Sequence, residues 1–229
     1  MDTHRRIRSF VIRAGRVTAA QERALATLWP VYGVETSGML DLATLFGRVA
    51  PRCLEIGFGA GEVIGELAER HPDRDYLGIE VHRSGVGRLL LRAAAGRLCN
   101  LRLICDDAVA VLEERIADDS FDEILIFFPD PWHKKRHHKR RLIDAGFAAL
   151  LAAKLRTNGT LRLATDWQDY AEQMLQTLNG VADLQTLSPD GTYVQRPDSR
   201  PPTRFERRGM RLGHGVWDLA YAKVASPPV

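Results

Sequence analysis

From residue 52 onward the chain alternates short apolar runs with longer amphipathic ones, and that alternation leaves few folds open. "CLEIGF" precedes Glu62 to Arg70, "YLGIE" precedes Ser84 to Leu98, and "LRLIC" precedes Ala108 to Arg115. "EILIFF" then precedes Arg141 to Leu155, and "TLRLAT" precedes Trp167 to Leu178. Strands that alternate with helices are joined by right-handed crossovers, which predicts a doubly wound, mostly parallel, Rossmann-like α/β sheet with helices on both faces. "VWDLAYAKV" reads as a last strand, antiparallel at the sheet edge.

Upstream of this series, Thr18 and Gln21 form a possible capping box before an apolar stripe of Ala24, Leu25 and Leu28, so a helix is expected over Thr18 to Trp29, with Pro30 ending it or closely following its end. Residues 1–17 carry five arginines and little to bury, which predicts a mobile basic arm. Residues 18–229 are expected to form one domain, with the Pro-, Gly- and Arg-rich stretch 188–215 as an insertion or loop on its substrate side. A chain of 229 residues buries about 70% of its unfolded surface, enough for one sizeable core. No run approaches a membrane span, and the N-terminal residues lack the apolar core and cleavage site of a signal peptide, so the expected compartment is cytoplasmic. Cys53, Cys99 and Cys105 lack C-x-x-C spacing and lie in or beside apolar runs; they read as core residues, with neither disulfides nor a metal site expected.

In a doubly wound sheet, ligands gather at the C-terminal ends of the strands. The first strand runs into "EIGFGAGE", whose Gly57, Gly59 and Gly61 suit a tight turn with close ligand approach. The third glycine falls one residue early for a dinucleotide fingerprint, and Glu55 sits where a pyrophosphate would want no carboxylate. Glu80 follows the second strand, about where an acid accepts bonds from ribose hydroxyls; Asp106 and Asp107 follow the third, and Asp130 the fourth. Four strand ends marked by acids fit a nucleoside with a cationic, amino-acid-like tail, and S-adenosylmethionine is such a ligand.

The densest basic run, "HKKRHHKRR", begins three residues after Asp130. The net charge of +3 is modest, but arginines and lysines concentrate in three segments, Arg5 to Arg16, Lys134 to Arg141 and Arg196 to Arg211, which folding could gather into one face for backbone phosphates. A solvated surface helix is the ordinary alternative for such a run.

"EIGFGAGE", "GIEVHRSGVG" and "CDDA" resemble the cofactor motifs of class I S-adenosylmethionine-dependent methyltransferases. "IFFPDPWHKKRHHKRRL" resembles the signature of bacterial tRNA (guanine-N7-)-methyltransferases, and the likeness extends from "RRIRSFVIRAGR" and "LWPVYGVE" through "LATDW" to "TRFE". His138 departs from it, standing where the family often has Asn. The resemblance implies cofactor contacts at Glu55, Glu80, Asp107 and Asp130, with Asp130 also catalytic. It further implies substrate contacts at Lys134, Asp166, Thr203, Arg204, Phe205 and Glu206, and tRNA lying along Arg136, His137, His138, Lys139, Arg140 and Arg141, with no protein partner evident. Thr203-x-x-Glu206 equally fits a helix capping box, and Asp166, between a strand and a helix, could be a cap. A methyltransferase acting on another RNA or a small molecule, or a non-catalytic RNA-binding protein on a cofactor fold, are the other readings these residues leave open.

Overall fold

The structure is a computed structural model and describes residues 8–11, 17–35, 37–198, 200, 201, 203, 206 and 215–225. Arg204, Phe205, most of the basic arm and residues 207–214 lie outside the described residues.

Five parallel strands form as the alternation predicts: β1 (Arg52–Ile56), β2 (Asp75–Ile79), β3 (Leu101–Ile104), β4 (Phe121–Phe127) and β5 (Leu155–Thr165). The three-residue β6 (Leu184–Thr186) and β7 (Trp217–Lys223) complete a seven-stranded sheet in the order β3-β2-β1-β4-β5-β7-β6. β7 runs antiparallel to β5, as expected; the outermost place beyond it goes to β6, whose three residues carry too little pattern to read.

Side chains alternate across the strands and so divide the core into two layers. Leu54, Ile56, Leu77, Ile79, Ile124, Ile126, Leu161 and Leu163 face one layer. It is filled by α6 (Ala108–Arg115), α7 (Ala145–Lys154), α8 (Gln168–Asn179) and, at its rim, α3 (Leu42–Phe46). Cys53, Tyr76, Leu101, Leu103, Leu125 and Phe127 face the other, covered by α1 (Ala19–Thr27), α2 (Trp29–Tyr32), α4 (Glu62–Arg70) and α5 (Arg83–Ala95). Only Cys53 of the three cysteines is a core residue; Cys105 is half-buried at the end of β3, and Cys99 is exposed in the turn before it, a correction to the expectation. Among the described residues no helix is long and apolar enough to cross a membrane.

Helix boundaries follow their local signals. The Thr18 hydroxyl accepts from the Gln21 amide while the Gln21 side chain accepts from Thr18 N–H at 2.9 Å, closing the capping box that starts α1. Pro30 closely follows the end of that helix: α1 stops at Thr27, and Pro30 sits in the first turn of α2, where its missing N–H costs nothing. The helix expected from Arg141 begins instead at Ala145, because Asp144 accepts from the Phe147 amide at 2.8 Å and caps it. The basic run forms a 3₁₀ segment, Lys135–Arg140.

The strand order reverses between β1 and β4, so the crevice of the sheet opens between the end of β1 and the end of β4. A cleft of about 640 Å³ occupies that place.

Candidate active site

The floor of the cleft is the glycine turn. Gly57, Gly59 and Gly61 have φ of 71°, 55° and 72°, a left-handed region that side chains rarely adopt. A Cβ on Gly61 would lie 2.7 Å from the Leu89 side chain, so the early third glycine serves α4–α5 packing. At Gly57 and Gly59 a Cβ would meet nothing within 4 Å, which leaves the backbone bare toward the cleft. Gly85, in the first turn of α5, touches the same turn, since a Cβ there would stand 2.0 Å from the Gly59 carbonyl oxygen.

Among the described residues six carboxylates line the cleft, those of Glu55, Glu62, Glu80, Asp106, Asp107 and Asp130, against one arginine, Arg88. Glu80 accepts from Gly59 N–H at 2.8 Å with one oxygen and from Val81 and His82 N–H at 2.7 and 2.9 Å with the other. A carboxylate offers about four acceptor sites, so one remains for a ligand hydroxyl. Asp107 caps α6 through Val109 N–H at 3.1 Å, and Asp106 accepts from Asp107 N–H at 2.7 Å.

Glu55 is a different case. It shares the face of Cys53, which turns it inward under the start of α4, and it is 3% exposed. Burial pushes its carboxyl up to about 8, the Ile64 amide opposing and nearby Glu80 adding to the rise. Among the described residues its Oε2 has no hydrogen-bond partner. An orphaned carboxylate oxygen beside the cleft is what a cationic ligand group would satisfy.

The opposite wall is the segment after β4. Phe128 and Trp132 have φ of 53° and 48°, a conformation aromatic residues hold only under constraint, and between them lie Pro129, Asp130 and Pro131. Asp130 is exposed at the cleft and, among the described residues, makes no hydrogen bond or ion pair. Trp132 donates from Nε1 to the Ser9 carbonyl at 2.9 Å, and Ser9 and Phe10 line the cleft, so the described part of the expected arm lies at its mouth. Beyond Trp132 the 3₁₀ segment presents exposed Lys134, Lys135, Arg136 and Lys139, with Arg140 partly exposed 5.0 Å over the Trp132 ring. His137 and His138 are half-buried, and the surrounding protein together with the neighbouring cations holds His137 below the usual imidazole range.

Two expectations need correction here. Arg141 is not on the basic face: its side chain is 2% exposed and engaged by Pro131, Gln173 and Asp169. Glu206 is also turned inward, 3% exposed. Its oxygens take Arg200 in a fork at 2.9 and 3.0 Å, Arg196 at 3.0 Å and Thr203 N–H at 3.3 Å, while the Thr203 hydroxyl accepts from Glu206 N–H at 3.1 Å. The capping-box alternative thus describes Thr203 and Glu206, although Thr203 also lines the cleft. Asp166 is no cap: α8 begins from Trp167 without a side-chain bond, and Asp166 lines a separate cavity of about 500 Å³ with Trp167, Glu172 and Trp217.

The reading from sequence lacked Arg200. Buried at 3% exposure, it joins Glu206 to Asp218 of β7 at 3.1 Å and lies 5.4 and 5.8 Å from the Phe127 and Phe128 ring centres. Its signal, one arginine among six in a loop-like stretch, does not differ from that of a surface charge.

Residues 49–219 match the model of a family described as "Putative methyltransferase". The tRNA (guanine-N(7)-)-methyltransferase of Edwardsiella ictaluri is 55% identical over 221 residues, covering 96% of this chain and 93% of that protein. The protein of the same name from Ectopseudomonas mendocina is 51% identical over 220 residues, covering 96% and 92%. Among solved structures, the 16S rRNA (adenine(1408)-N(1))-methyltransferase from Catenulisporales acidiphilia superposes with a TM-score of 0.59 at 16% identity, covering 86% of this chain and 99% of its own; that likeness concerns the fold.

Proposed function

The chain belongs to the tRNA (guanine-N7-)-methyltransferase family, and from that premise we propose that it transfers a methyl group from S-adenosylmethionine to N7 of a guanosine in the variable loop of tRNA. The observation that carries the reading is the placement of Asp130. It is a carboxylate without a partner among the described residues, across the strand-order reversal from a bare glycine turn, and the exposed cations of the 3₁₀ segment follow it directly.

The residues fit the cofactor. When bound, S-adenosylmethionine supplies an electrophilic methyl on a positively charged sulfur, which guanine N7, an unprotonated acceptor, takes with its lone pair. Glu55 would hold the ammonium of its tail through the orphaned Oε2, and Glu80 has one acceptor site left for a ribose hydroxyl. Gly57 and Gly59 leave the backbone open to close approach. Asp107 lines the same cleft beyond its cap.

N7 carries no proton, so no general base is needed. Asp130 instead fixes the guanine by accepting from its N1 and N2 hydrogens and favours the positive charge that appears on the purine ring as the methyl moves. Lys134, Arg136, Lys139 and Arg140 meet the phosphates on either side of that base. Asp166 and Thr203 extend the substrate side, and specificity comes from the shape of the tRNA and an exposed base.

The test is transfer of labelled methyl to unmodified tRNA, mapped by cleavage selective for 7-methylguanosine, beside a transcript with adenosine at the variable-loop position. Label confined to that guanosine and lost in the second transcript is the expected result; label elsewhere would refute the assignment. With Asp130→Asn the rate should fall about a hundredfold or more while both affinities hold.

A further inference from the structure

The six cations of Lys134–Arg141 are not equivalent. Five stand at or partly at the surface, and the sixth, Arg141, is turned into the protein. Its Nε donates to the Pro131 carbonyl at 2.9 Å, Nη1 to Gln173 Oε1 and Nη2 to Asp169 Oδ2, and its guanidinium carbon lies 4.8 Å from the centre of the Tyr170 ring. Asp169, Tyr170 and Gln173 all belong to α8. The same helix holds the next stretch of the loop, for the Tyr170 hydroxyl accepts from Ile143 N–H at 3.1 Å and Gln173 Nε2 donates to the Ile143 carbonyl at 3.2 Å.

What this contact does follows from the loop. Between Phe128 and Trp132, both at positive φ, two of the three residues are prolines with no N–H to give. The upstream end is tied to β5 by Phe128 N–H on the Ala164 carbonyl at 2.7 Å. Downstream of Asp130 the first tie is the Pro131 carbonyl, and Arg141 makes it. With three of its five N–H donors on separate acceptors, its face on an aromatic ring and its side chain 2% exposed, this guanidinium is not presented to a phosphate.

We propose that Arg141 is a positioning residue: it fixes Asp130 at the cleft by clamping the Pro131 carbonyl to α8 and takes no part in holding RNA. This deepens the proposed function and rests on the role given there to Asp130. Lysine at position 141 keeps the charge but cannot serve three acceptors in one plane. The loop then loses its first downstream tie and keeps only the more distant bond of Trp132 to Ser9, and a displacement of about 1 Å at the reacting centre costs up to about a hundredfold in rate.

The experiment compares wild type, Arg141→Lys and Asp169→Asn in three readouts: single-turnover methylation at saturating tRNA, tRNA affinity across a salt series, and hydrogen exchange of the peptide spanning residues 128–134. For Arg141→Lys we expect a rate loss of about ten- to a hundredfold, tRNA and S-adenosylmethionine affinities within about twofold, an unchanged salt slope, and faster exchange in that peptide. Asp169→Asn should show the same pattern more weakly and add little in the double variant, because both act on one clamp. A weakened tRNA affinity with a shallower salt slope and an unaltered saturated rate would overturn the proposal and return Arg141 to the RNA face. Exchange needs no substrate, so it decides the clamp even if the wild type methylates no tRNA: that outcome would sink the functional reading, whereas unchanged exchange in Arg141→Lys would sink this one.

Discussion

On the glycine-turn side of the cleft, among the described residues, Glu80 accepts from Gly59, Val81 and His82 and Asp107 from Val109. On the Asp130 side, the loop is fastened by Ser9, Ala164, Asp169 and Gln173, and Arg200 packs on its first aromatic residue while bridging Glu206 and Asp218. One wall is held by its own backbone, the other by side chains brought from across the chain. The first kind of construction stands once the turn has formed. The second exists only when the whole domain has folded, so it should fail by different routes and at different cost.

The largest expected effect is on the second wall. Arg200→Met leaves Glu206 and Asp218 buried with their shared cation gone, and breaking a buried pair in this way costs about 3–5 kcal/mol. Urea unfolding followed by tryptophan fluorescence would measure it. If the walls are separately built, S-adenosylmethionine affinity in native buffer stays near wild type. An equal loss on both counts would show that the two walls form one unit.

Next in size is an effect of pH on the first wall. Glu55 keeps its proton in the folded state up to about 8, whereas the unfolded chain releases it near 4.5. The folded state therefore binds more protons in that window, and its contribution to stability falls as pH rises from 4.5 to 8, then levels off. The slope is at most about 1.4 kcal/mol per pH unit. Glu55→Gln should remove that slope, which a series of melts between these limits would reveal. A ligand cation favours the ionised form, so S-adenosylmethionine affinity should rise with pH through the same range; a flat profile would mean that Glu55 does not meet the ammonium.

The same contrast decides what could be read from the sequence. The limits of α4 and α6, the capping box of α1 and the spacing of the turn glycines were legible because each is written within a few consecutive positions. Arg141 read as one more phosphate contact because its acceptors lie 10, 28 and 32 residues away, and nothing local separates an inward arginine from an outward one. Arg200 meets Asp218 across 18 residues, and Trp132 meets Ser9 across 123. Thr203 and Glu206 carried two readings in one pattern, and burial favoured the cap. The strand-end acids could be placed in order, but which of them kept free oxygens depended on backbone geometry.

Gly85→Ala probes a place where the first wall depends on a contact from a distant part of the chain. Alanine raises helix propensity in α5 by up to about 1 kcal/mol, yet its methyl would stand 2.0 Å from the Gly59 oxygen. Overpacking of that kind costs about 1–3 kcal/mol, so the net expectation is a loss of up to about 2 kcal/mol in melting experiments, with weakened cofactor binding. A stabilised variant would mean that the turn yields easily and that its shape does not depend on α5.

The smallest effect separates the exposed cations from the buried ones. Lys139 and Arg140 are exposed and partly exposed, and Arg140 rests on the Trp132 ring at 5.0 Å, so their replacement by alanine should leave stability within about 0.5 kcal/mol. What should change is the salt dependence of tRNA binding, because each phosphate that no longer meets a cation takes about 0.7–0.9 off the slope of log affinity against log salt. A shallower slope with an unchanged rate at saturating tRNA is the opposite of the pattern expected for Arg141→Lys. Within one run of eight residues, the same chemical group would then serve two ends according to which way it faces: outward cations add to the encounter with tRNA, and the inward one holds Asp130 still. An unchanged slope would place the RNA path on the other basic segments and leave the 3₁₀ face as solvated surface.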